Sequence, residues 1–168
     1  FTSNHDENSW NKADYATMPG ESHAPFAVLT QTLKNSVPLI YSGQEEPVLD
    51  SISFFYKDAI EFGKYQRAGF YQKLLNLRSS NAALAANASF TKLITSADDA
   101  IYAFVREKNG KKVLVVTNLS KVPQTVTINN ALISGEATNI FTAKKDNLKA
   151  SHTFNMNAWG YLVYDYTK

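Results

Sequence analysis

The first ten residues hold four side chains suited to gripping a sugar: Asn4, His5, Asp6 and Trp10. A carboxylate accepts hydrogen bonds from hydroxyls, an imidazole can donate one, and an indole offers an apolar face that stacks on a pyranose. The same residues also have an ordinary reading. Asn and Asp hold turns and caps through side-chain to backbone bonds, and an Asn-His-Asp run does this more often than it does chemistry. Acidic residues elsewhere are weaker candidates. Glu7 reads as a loop residue facing solvent, and Asp98-Asp99 as a turn. Glu45 and Glu46 follow an apolar run, where one could rim a cleft, although Glu45 binding backbone donors of its own loop is the favoured reading. Tyr41 suits a buried wall as well as a sugar. His23 and His152 each stand alone, with no partner at metal-ligand spacing.

Elements must position these groups. Phe1-Thr2-Ser3 reads as a short strand ending in the polar cluster, as where a strand of a (β/α) barrel reaches its chemical face. Asn11 to Glu21 is a turn-rich loop. Pro25 sits where a helix begins, and Phe26, Val28, Leu29 and Leu33 give it an apolar stripe through Lys34. Val37 to Tyr41 is apolar enough for a strand buried on both sides, and Gln44 to Pro47 make a polar loop at its end. Val48 to Lys64 is irregular, with Phe54, Phe55, Tyr56 and Phe62 expected to anchor it. Tyr65 to Arg78 is the strongest helix, and Ala82 to Ala86 either extends it or acts as a connector.

After that connector the pattern changes to short strands and turns: 90–94, 101–107, 112–119, 124–129, 137–141 and 160–166. Asn109-Gly110 between two apolar runs is a hairpin signal, because both residues tolerate positive φ. This spacing suggests an antiparallel β-sandwich over residues 87–168, able to fold without residues 1–86.

Composition narrows the function classes. Of 168 residues, 44% are hydrophobic and 19% charged, the balance of a globular chain. The net charge of +2, with basic residues scattered, leaves no footprint for nucleic acid. No apolar run approaches the roughly 20 residues of a membrane helix. The absence of cysteine excludes disulfides and thiolate metal sites. The chain opens on Phe1 and not Met, which reads as a processed product or a fragment.

Four segments together carry a family likeness. They are Phe1 to Asp6; Val37-Pro38-Leu39-Ile40-Tyr41-Ser42-Gly43-Gln44-Glu45; Phe70 to Arg78 through Asn81-Ala82-Ala83-Leu84; and Tyr102 to Glu107 with Val113 to Asn118 and Trp159-Gly160-Tyr161. In order and spacing the chain resembles the C-terminal part of an α-amylase of glycoside hydrolase family thirteen. The resemblance implies an α+β fragment: the last βα units of a (β/α)8 TIM barrel over residues 1–86, then the family's all-β C-terminal domain over residues 87–168. It implies that Asp6 is the carboxylate that grips sugar hydroxyls at the transition state. His5 then binds a hydroxyl beside it, and Asn4 and Trp10 complete the substrate contacts. The nucleophile and acid/base, which retaining enzymes hold about 5 Å apart, would lie on earlier strands, so the chain alone would be inactive. No metal ligand is carried over, and calcium is expected in the longer enzyme alone. The partner is an α-1,4-glucan such as starch, which favours a periplasmic or extracellular location. A non-catalytic amylase-like protein or a carbohydrate-binding sandwich is the alternative. Unpaired barrel edges predict that residues 1–86 are poorly ordered, repack on the strands, or are covered by another copy.

Overall fold

The computed structural model describes residues 1–46 and 48–166, with the backbone alone at Asp14 and Tyr15. Pro47, expected in the loop after residues 37–41, lies outside the described residues. Among these residues four α-helices come first: α1 (His5–Trp10), α2 (Asp14–Thr17), α3 (His23–Thr32) and α4 (Ala68–Ser80). Eight strands follow: β1 (Ser89–Leu93), β2 (Ile101–Lys108), β3 (Lys111–Asn118), β4 (Gln124–Asn129), β5 (Gly135–Asn139), β6 (Lys145–Leu148), β7 (Ser151–Met156) and β8 (Tyr161–Asp165).

Antiparallel pairing builds a six-stranded sheet in the order β1-β2-β3-β8-β5-β6 and a two-stranded sheet of β4 and β7. A single bridge from Thr95 to Ile128 joins them. The β2–β3 hairpin closes through Asn109 and Gly110, with φ of 52° and 74°. Positive φ at both positions gives the turn whose twist matches the strands.

The large sheet is buried on both faces. On one face Leu93, Ile101, Ala103, Val105, Leu114 and Val116 meet Val126, Ile128, Phe154 and Met156 of the small sheet. On the other, Phe104, Val113, Val115 and Val163 meet Val28 of α3, Leu74 and Leu77 of α4, and Ala83 and Leu84 of the turn that follows. Each fully buried side chain of this size contributes about 1.5–3 kcal/mol. The helices therefore supply the cover of one face of the large sheet, and removing residues 1–86 would bare it.

A buried charge crosses the same boundary. Arg106 of β2 has no exposed surface. Its Nε donates to Ser89 O at 2.9 Å, Nη1 to Thr32 O at 2.7 Å and Nη2 to Ala85 O at 2.7 Å. Beside it, Arg78 donates to Gln31 O at 2.8 Å and Ser36 O at 2.6 Å. Two guanidiniums thus cover carbonyls at the C-terminal end of α3, where the helix dipole favours cations. Burial, and then the nearby Arg78 charge, push the Arg106 pKa below its ordinary value. Asn81, which ends α4, accepts from Ala83 N at 2.9 Å and donates to Asp165 of β8 at 2.8 Å.

Several expected elements are not formed. No strand lies at Phe1–Ser3 or Val37–Tyr41, and no parallel pairing occurs among the described residues. Val37 is 89% exposed and Leu39 42%. A parallel strand needs neighbours for its backbone groups, and none lies beside this run, so the barrel units are not evident. Phe54, Phe55, Tyr56 and Phe62 are 45, 73, 81 and 49% exposed, so they do not anchor their loop in a core. Strands β6 and β7 were not expected. The helices α3 and α4, by contrast, do pack onto the strands, one of the three fates anticipated for residues 1–86.

Arg106→Met is expected to lower the unfolding free energy by about 3 kcal/mol, since three buried carbonyls lose charged donors. Arg106→Lys should recover only part, because an ammonium cannot span the fork. Denaturant unfolding of the three proteins reads both effects.

Candidate functional site

The short helix α1 presents the polar cluster. Asn4 is its N-cap, and its side-chain oxygen accepts from Glu7 N at 2.8 Å. The capping reading of Asn4 is therefore realised, and that oxygen is engaged. His5 and Asp6 occupy the first turn, where a carboxylate suits the N-terminal dipole. His5 Nε2 lies 3.4 Å from Asp6 Oδ1, with side chains 67% and 58% exposed. Trp10 ends the helix, 64% exposed. Three of the four sequence-predicted residues, His5, Asp6 and Trp10, thus stand open to solvent on one helix and its loop side.

Residues that sequence reasoning passed over hold this helix. Asn8 is buried, and its side-chain oxygen accepts from Ile52 N at 2.6 Å. Ser9 Oγ donates to Ile52 O at 2.7 Å. One turn of helix therefore satisfies both backbone groups of Ile52 and docks the segment 48–58 against α1. That brings Phe54 beneath the cluster, with ring centroids 6.0 Å from His5 and 5.7 Å from Trp10. The segment before α1 is held as well. Gln44 Nε2 donates to Thr2 Oγ1 at 2.8 Å, and Gln44 Oε1 accepts from Tyr41 N at 2.6 Å. His23, wholly buried, has Nε2 at 3.4 Å from both Thr2 Oγ1 and Tyr71 Oη. Its role is internal hydrogen bonding. Apart from the Gln44 bond to Tyr41, no short-range signal marks these residues, because their partners lie 21 to 48 positions away.

The loop-binding carboxylate is Glu46, not the neighbouring Glu45 that was favoured. Glu46 accepts from Gly63 N at 2.8 Å, Lys64 N at 3.1 Å and Tyr65 N at 2.9 Å. Burial works against its charge, but the three backbone donors outweigh it and hold the carboxyl below its ordinary value. Asp98 accepts from Thr95 N at 3.2 Å and pairs with Lys92 at 2.5 Å, the turn role expected of it. Among the described residues no group of three or more His, Cys, Asp or Glu could hold a metal ion. No described helix is long and apolar enough to cross a membrane.

Residues 101–163 match the α-amylase SusG C-terminal domain. The match runs from β2 into β8 and so takes in strands of both sheets. Among solved structures, a noncanonic maltogenic α-amylase AmyB from Thermotoga neapolitana is 16% identical, with a TM-score of 0.81 over 99% of this chain and 40% of that one. The amylase AmyP in complex with maltose is 15% identical, with a TM-score of 0.67 over 94% of this chain and 36% of its own. An AmyP variant in complex with maltotriose gives 0.66 over the same shares. At such identities the likeness is one of fold. This chain spans about 40% of the length of the AmyB amylase. No curated protein matches the sequence.

The Glu46 geometry makes a pH prediction. The folded carboxyl titrates below its unfolded value of about 4.3, so its contribution is present above that pH and is lost as pH falls through the lower, folded value. Hydrogen exchange should show the amides of Gly63, Lys64 and Tyr65 protected from neutral pH to below the ordinary carboxylate range. Glu46→Gln should speed their exchange severalfold at pH 7 while amides in β2 and β3 are unchanged.

Proposed function

We propose that this chain is part of a retaining α-amylase-type glycoside hydrolase acting on α-1,4-glucans, starch and maltooligosaccharides among them. One observation carries the reading. The fold likeness to a maltogenic α-amylase extends over 99% of the chain, well beyond the residues 101–163 that match the C-terminal domain model. Residues 1–86 are on this reading the C-terminal remnant of a catalytic (β/α)8 barrel, and residues 87–168 are the β-sandwich C-terminal domain.

The chemistry then follows from the opening cluster. Asp6, an exposed carboxylate at a helix N-terminus, accepts hydrogen bonds from sugar hydroxyls. Those bonds strengthen as the ring flattens toward an oxocarbenium-like state, so they lower the barrier rather than merely hold substrate. His5 binds a hydroxyl beside it, and Trp10 offers its indole face. Asn4 acts mainly through the cap that sets the direction of α1. Nucleophile and acid/base come from outside these 168 residues, and the 168-residue chain alone is inactive. The exposed run 37–41 is the surface against which the rest of a barrel would pack. A polymeric glucan must be cut where it is found, which argues for a periplasmic or extracellular site of action. Any calcium belongs to segments outside this chain.

The test is made in the protein that the gene encodes. It should release reducing sugar from maltoheptaose. Asp6→Asn should lower kcat by about a hundredfold or more with KM changed little, as for other removed transition-state contacts. A kcat unchanged by Asp6→Asn would remove Asp6 from the chemistry. Hydrolysis by the 168-residue chain alone would remove the assignment of the other carboxylates to outside segments.

A further inference from the structure

Next to the polar cluster lies a group of aromatic rings that the packing of these 168 residues does not use. Trp10, Phe54 and Phe55 are 64, 45 and 73% exposed. Their rings touch one another, Trp10 to Phe54 at 5.7 Å, Trp10 to Phe55 at 6.0 Å and Phe54 to Phe55 at 4.9 Å between centroids. They are splayed, at 37°, 78° and 66°, and do not form one flat sheet of rings. The group is held in place from beneath by the Asn8 and Ser9 bonds to Ile52 and, further along, by Asp58 accepting from Ser53 N at 3.0 Å. Exposing three large rings costs free energy in water. Fixing them through a dedicated polar clamp costs more entropy still.

We infer that Trp10, Phe54 and Phe55 form a stacking platform for the C–H faces of an α-glucan chain running past His5 and Asp6. The inference rests on the reading of the cluster as a glucan site and extends it to Phe54 and Phe55. A pyranose is apolar on its faces and hydroxylated at its rim. The platform offers the matching pattern: rings on one side, and the exposed His5 and Asp6 at their edge, with His5 stacked at 27° on Phe54. A protein-protein contact would favour a different composition, since Asp and Glu are depleted at the cores of such interfaces, whereas here Asp6 lies 3.4 Å from His5, which stacks on Phe54. Rings at differing tilts also suit a curved chain of sugars better than a flat partner. Asn8 and Ser9 act on this surface as positioning residues.

The test uses the protein that the gene encodes, with maltotriose and maltoheptaose as probes and with Phe55→Ala, Phe55→Leu, Phe55→Tyr and Phe54→Ala. Phe55 is mostly exposed, so its variants should fold with an unchanged melting temperature. Phe55→Ala and Phe55→Leu are expected to raise KM and Kd for maltoheptaose about tenfold, the scale of one lost aromatic contact. The kcat should stay within about twofold, and Phe55→Tyr should keep wild-type affinity. Rescue by leucine, or a Kd unchanged by Phe55→Ala, would overturn the platform while leaving the hydrolase reading intact. Maltoheptaose binding that depends on Phe55 in a protein that cleaves no α-glucan would sustain the platform and remove the hydrolase. No binding at all would remove both. A wild-type dimer that Phe55→Ala makes monomeric, with glucan affinity unchanged, would assign the rings to a second copy and overturn the inference.

Discussion

The Arg106 guanidinium, with no surface in contact with water, donates to carbonyls from three separate segments: the end of α3, the turn after α4 and the start of β1. A charge without water is tolerable only where its donors are matched, so all three segments must come to β2 in one arrangement. The apolar layer of Val28, Leu74, Leu77, Phe104, Val113, Val115 and Val163 closes around the same point. Burial of that layer supplies most of the free energy, while the guanidinium supplies direction, because its planar fork accepts few geometries. Once α3 and α4 are fixed on the sheet, the network of Thr2, His23, Gln44 and Tyr71 locates the opening segment, and Asn4 turns it into α1. The exposed His5 and Asp6 therefore owe their position to contacts made on the far side of the helical layer.

The strands that were legible in the sequence are those with a strong local signature. The hairpin at Asn109-Gly110 and the strand Gln124–Asn129 follow from turn chemistry and alternation. Strands β6 and β7 were not legible, because each is mostly exposed and only Leu148, Phe154 and Met156 of their residues are buried. A different signal lay unused in β2 and β3. Their runs Ile101 to Val105 and Val113 to Val116 are apolar on both faces, which calls for a cover on each side. Read that way, the packing of α3 and α4 on the large sheet follows from the sequence. Arg106 itself gave no hint, since a lone arginine in a strand usually faces solvent.

In the first half, residue types were legible and their arrangement was not. Asn4 was recognisable as a cap from its type and position, and the structure uses it so. The run Val37 to Tyr41 has the composition of a buried strand but lacks partners here, and composition alone cannot reveal a missing neighbour. Phe54 and Phe55 looked like core because they are large and apolar. Their exposure is decided by Asn8 and Ser9, 44 and 43 positions from Ile52, through hydrogen bonds that no local pattern announces. The asparagines show the same limit from the other side. Asn118 matches a glycosylation tripeptide, yet it is buried and donates to Val122 O and Asn157 O.

The fold is of the amylase kind, and on the proposed function the opening cluster stabilises a flattened sugar ring during retaining cleavage of an α-glucan. The most direct measurement is the anomeric form of the first product. Maltoheptaose is mixed with the protein that the gene encodes and followed by proton NMR before mutarotation. Two successive displacements at the anomeric carbon restore its configuration, so the account predicts that the new reducing end appears first as the α-anomer. Initial release of the β-anomer, or no cleavage of the α-1,4 bond, would contradict it.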